Sequence, residues 1–68
     1  MNAKKMLKLE DAAVTKNINQ MNKGIEHDNL LEAIEAVDEL SVISMHTDSR
    51  QVRMRCQKAM DAFGAHTF

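Results

Sequence analysis

No proline occurs in these 68 residues, and glycine occurs only twice, at Gly24 and Gly64. Proline breaks a helix interior and glycine weakens it by about 1 kcal/mol relative to alanine, so a chain with so little of either suits long helices. The two glycines read as punctuation. Gly24 follows Asn22-Lys23 and Gly64 follows Ala62-Phe63, and both fit the left-handed residue that commonly ends a helix. No internal repeat, low-complexity tract or linker divides the chain, and its length predicts one domain, residues 1–68.

Hydrophobic spacing predicts three helices, over about residues 3–23, 29–45 and 49–63. In the first, Ala3, Leu7, Val14, Ile18 and Met21 share one stripe, continued by Ile25, while Met6, Leu9 and Ala13 form a shorter apolar strip rotated away from it. Lys4, Lys5 and Lys8 oppose the helix dipole at its start. The second helix has the clearest start: Asn29 caps it, Glu32 completes a capping-box pattern, and Asp28 is the alternative cap. Asp28, Glu32, Glu35 and Glu39 form a narrow acidic stripe along it, and apolar residues from Leu30 to Met45 fill most of the remaining circumference. An arc that wide predicts a central helix covered by more than one neighbour. Ser41-Val42-Ile43-Ser44 has strand-like β-branching, but no second strand is available to pair with it. For the third helix Asp48 is the expected cap, with Gln51 at the reciprocal position. Val52, Cys56, Ala59, Met60 and Phe63 form its core face, and Met54 points the opposite way.

The expected architecture is therefore an all-α, three-helix unit with a central acidic helix. Helices 2 and 3, joined by a short turn near His46 to Asp48, are expected to form the core hairpin. Helix 1 closes it, either on its own chain or on a symmetry mate. A domain of this size buries only about 60% of the surface its unfolded chain exposes. Small chains compensate with disulfides, metals, fine packing or oligomerisation. Cys56 is the only cysteine, so no disulfide forms within the chain, and one Cys with three scattered His lacks the spacing of a structural zinc site. Phe63 and Phe68 are the only aromatic residues, and six Met and many Ala do the filling. Completion as a homodimer or higher oligomer is the expected remedy.

The opening residues carry charges but no apolar h-region, so they do not read as a signal peptide, and the chain reads as a complete short product. No run approaches the ~18 apolar residues of a membrane span. A soluble, cytoplasmic protein is expected, with its lone thiol suited to a reducing compartment.

The catalytic inventory is nearly empty. No glycine-rich phosphate loop, His-Glu-x-x-His sequence or nucleophile elbow occurs. The carboxylates of helix 2 have surface spacing with no base beside them, and no calcium-loop spacing is present. Cys56, mid-stripe between Val52 and Phe63, reads as a small buried hydrophobe. His27, His46 and His66 sit near helix ends, where loop or capping roles are the default. The expectation is a protein without enzymatic activity, cofactor or metal.

Charge is segregated along the chain. Residues 26–48 carry seven acids and no Lys or Arg, whereas the flanking segments are basic. Arg50, Arg53, Arg55 and Lys58 cluster on helix 3, and a helix of this kind can enter a DNA major groove. A helix-turn-helix frame over Val42 to Arg55, however, puts His46 where the tight turn favours Gly and Arg55 where an apolar residue packs. The adjacent acidic helix also repels phosphate. Asp48, Val52-Arg53, Ala59-Met60 and Phe63-Gly64 resemble the second helix of a HEAT-type repeat. The resemblance spans only about 17 residues, any capped amphipathic helix shares those positions, and solenoids need about three repeats. It assigns no family.

These features point to a protein-protein interaction module, a small regulator or inhibitor that occludes its partner. Its candidate contact residues are Met6, Leu9 and Ala13 on helix 1 and Arg50, Arg53, Met54 and Arg55 on helix 3. Nucleic-acid binding through helix 3 is the alternative.

Overall fold

A computed structural model describes the backbone of residues 3–67 and the side chains of residues 8–65. Three helices account for nearly all of it: α1 (Ala3–Glu26), α2 (Leu30–His46) and α3 (Arg50–Thr67). No strand occurs among the described residues, and Ser41 to Ser44 lie within α2. Each pair of helices is in contact, and the whole extends 40 × 17 × 13 Å.

The core follows the expected stripes. Val14 and Met21 of α1, Ala33, Ala36 and Leu40 of α2, and Val52, Cys56, Ala59 and Phe63 of α3 are buried together. Ile18, Ile25, Val37, Ile43 and Met60 pack around them. The most extensive interface joins α1 to α2 rather than α2 to α3. Alanines 33 and 36 make the buried side of α2 shallow, so α1 lies close along it. Helix 1 closes on its own chain.

Both glycines lie inside helices, and neither has a positive φ. Helix α1 runs past Gly24 and reverses at Asp28, whose φ is 58°. There the Asn29 N–H donates to the Gly24 carbonyl at 2.7 Å and the Asp28 N–H to the Ile25 carbonyl at 3.3 Å. That nested pair is a Schellman motif with Asp at the left-handed position, which Asp tolerates because its short side chain can bond locally. Asn29 then caps α2 as expected, its side chain accepting from the Glu32 N–H at 3.3 Å. The reciprocal half differs from a capping box: the Asn29 side-chain amide, rather than its backbone N–H, donates to the Glu32 carboxylate at 3.3 Å.

Gly24 meets a different need. It is buried beneath the first turn of α2, where an added Cβ would lie 2.7 Å from the Ala33 nitrogen, 2.8 Å from the Asn29 carbonyl oxygen and 2.9 Å from the Ala33 Cβ. At Gly64 an added Cβ would meet nothing within 4 Å, and α3 continues through it to Thr67.

The second connection departs from expectation at its cap. Ser49, not Asp48, accepts from the Val52 N–H at 3.3 Å, and its carbonyl takes the Arg53 N–H at 3.0 Å. Thr47 ends α2 in an extended conformation, and its buried hydroxyl accepts the Ser49 N–H at 3.1 Å. That bond sets the turn so that Ser49 reaches the helix start. Asp48 is exposed, and Gln51 makes no reciprocal cap.

The glycines predict opposite responses to alanine. Gly24→Ala forces backbone apart and is expected to destabilise by about 1–3 kcal/mol, as overpacking does. Gly64→Ala replaces a helical glycine in open space and is expected to stabilise by about 0.5–1 kcal/mol. Urea denaturation of the two variants beside the parent chain measures both signs.

Candidate interaction surface

The seven residues expected to contact a partner lie on two helices, and Met54 and Arg55 of α3 share a shallow groove with Lys8 and Asp11 of α1. The side chain of Met6 lies outside the described residues. Leu9 is 65% exposed, and Ala13 is half-buried with its carbonyl accepting from the Asn17 amide at 2.9 Å. Arg50, Arg53 and Met54 are all exposed on α3, Met54 by 60%. They line a shallow groove with Gln57.

Arg55 is committed elsewhere. Its guanidinium forms an ion pair with the Asp11 carboxylate and donates to the Thr15 hydroxyl at 3.0 Å. It therefore ties α3 to α1. This is the only ion pair among the described residues, so Arg50, Arg53 and Lys58 are unpaired among them.

Five of the seven large apolar side chains exposed among the described residues are on α2. Leu30, Leu31, Ile34, Val42 and Met45 are 40–78% exposed, although α2 packs against both other helices. At about 100° per residue these five fall on one side of the helix, with Asp38 in their midst and Glu35 and Glu39 beyond. All three acids are exposed and unpaired among the described residues. The wide apolar arc of α2 was legible in the sequence. That only half of it is covered was not, because coverage depends on where α1 and α3 settle.

Other chemistry is sparse. Among the described residues no three His, Cys, Asp or Glu side chains gather as ligands for a cation. His27 and His46 are exposed at helix ends. No helix among the described residues is long and apolar enough to cross a membrane. Cys56 is fully buried in the core. Burial pushes its thiol above the ordinary value, Arg55 opposes that rise and Glu10 adds to it. The thiol's contribution to stability is thus complete below the ordinary thiol range and lost as pH climbs through the raised value.

No protein-family model matches the chain, and neither curated proteins nor solved structures provide a significant match. The surface itself carries the functional argument.

Two measurements check these assignments. Arg55→Gln is expected to lower stability by no more than about 1 kcal/mol, since exposed ion pairs contribute little, with a smaller loss in high salt. Cys56, buried and held as the neutral thiol, is expected to react with a thiol reagent far more slowly in the native protein than in denaturant. Equal reaction rates in the two conditions would place the sulfur at the surface.

Proposed function

We propose that this chain is a protein-protein interaction module, a small regulator or inhibitor without enzymatic activity, and that the uncovered side of α2 is its docking face. The observation that carries this reading is the row of exposed aliphatic side chains at Leu30, Leu31, Ile34, Val42 and Met45. Fully burying one such side chain is worth about 1.5–3 kcal/mol, so a partner covering the row gains several times the energy of a surface ion pair. An apolar strip rimmed by charge is also the usual anatomy of a contact patch. Leu9 on α1 and Met54 on α3 are further exposed apolar residues. A cytoplasmic setting belongs to the same reading, because it keeps the lone thiol reduced. So does self-association, which a chain this small favours.

A second reading rests on exposed, unpaired Arg50, Arg53 and Lys58, which can contact nucleic-acid phosphates. It has lost Arg55 to Asp11, and the acids of α2 oppose it.

Capture from an extract of the source cell separates the readings. A protein retained in both low and high salt, and lost with Leu31→Lys or Met45→Lys, is expected. Both positions are exposed, so the variants should keep the parent circular dichroism spectrum. Nucleic acid released steeply by salt, retained by Leu31→Lys and lost when Arg50 and Arg53 are both changed to Gln, would establish the second reading instead.

A further inference from the structure

We infer that the docking face of α2 is occupied by a second copy of this chain, in a two-fold pair that sets α2 of each copy against α3 of the other. The inference rests on the proposal that this face binds protein, and it identifies the partner by charge and symmetry.

The two outward helix faces are complementary. On α2, exposed Leu31, Ile34, Val42 and Met45 surround Asp38, and Glu35 and Glu39 lie at the margin. On α3, exposed Met54 lies among Arg50, Arg53 and Lys58. Neither set of charges forms an ion pair among the described residues, where the single pair joins Asp11 to Arg55. A carboxylate amid an apolar strip resists burial unless a cation meets it. Arg50 and Arg53 supply such cations, and their long stems can lie along the aliphatic side chains of α2.

Symmetry selects the arrangement. Two-fold contacts are self-complementary, so a copy with an acidic face on α2 and a basic face on α3 engages its partner with each once. Setting α2 against its own copy would bring Glu35, Asp38 and Glu39 against the same acids, and like charges across an interface are unfavourable. Setting α2 against the partner copy's α3 places acids opposite cations at both halves of the pair.

Sedimentation equilibrium of the full chain at about 50 µM, where mass action favours any specific pair, is expected to give twice the 7.7 kDa chain mass. The pair should weaken measurably but persist as NaCl rises from about 0.05 to about 0.5 M, because its charges attract while its apolar contacts are not screened. Glu35→Arg with Asp38→Arg on one copy should sediment as a monomer, as should Arg50→Glu with Arg53→Glu on another. An equimolar mixture of the two should recover the pair. All four positions are exposed, and circular dichroism verifies that each variant folds. Where a variant does not fold, the salt response of the unmodified chain still tests whether opposite charges meet across the pair.

A chain still monomeric at about 200 µM overturns the inference. So does a pair that tightens with salt, or an α3 double variant that pairs like the parent, since either outcome means acid faces acid or α3 takes no part. A monomeric chain that still captures a protein through Leu31 and Met45 overturns only the self-pairing and leaves the docking face intact.

Discussion

Gly24 lies so close to α2 that a methyl group there would collide with the Ala33 nitrogen and the Asn29 carbonyl. The arrangement of the other elements depends on that approach. Asp28 takes the left-handed conformation that turns the chain, and Asn29 follows it with two tasks: its N–H closes the end of α1 and its side chain begins α2. The two helices are thus joined with almost no intervening loop. With their ends pinned, Val14 and Met21 come over Ala33, Ala36 and Leu40, and α3 adds Val52, Cys56 and Phe63 to the same core.

Close approach has a consequence on the opposite side of α2. A helix that buries alanines toward its neighbours uses little of its own apolar surface there. Its larger aliphatic side chains at Leu31, Val42 and Met45 are left facing outward. Small domains bury only about 60% of the surface their unfolded chains expose, so some apolar residues stay outside in any case. Here five of the seven large exposed apolar side chains among the described residues are gathered along one helix, a concentration distinct from the scatter every protein carries.

Electrostatics sorts the charged residues into two groups. Arg55 reaches Asp11 and Thr15 and helps hold α3 to α1, a structural task that its neighbours in sequence do not share. Arg50, Arg53 and Lys58 face outward, as do Glu35, Asp38 and Glu39 of α2. Charges paired across the α1–α3 seam contribute modestly to folding, whereas unpaired charges of opposite sign on separate faces bear on what approaches the molecule and in which orientation.

Local sequence alone was enough to establish the three helices, the Asn29 cap and the buried stripes through Val14 and Cys56. These depend on periodicity and on side chains bonding a few residues away. Rules for helix ends misassigned both glycines and the α3 cap, because each of those outcomes is settled by a second contact. Gly24 looks like a terminator until α2 is laid against it, and Ser49 displaces Asp48 only after the Thr47 hydroxyl has set the turn. The candidate contact residues were legible to a similar degree. Exposed Met54 followed from its place on the helix wheel, whereas the sequence did not separate Arg50 and Arg53 from Arg55, which was drawn into the fold by an acid 44 positions earlier in the chain. The breadth of apolar residues on α2 was a property of the sequence. Which half of them remained uncovered was decided by tertiary structure, since one helix's neighbours can cover only the side on which they pack.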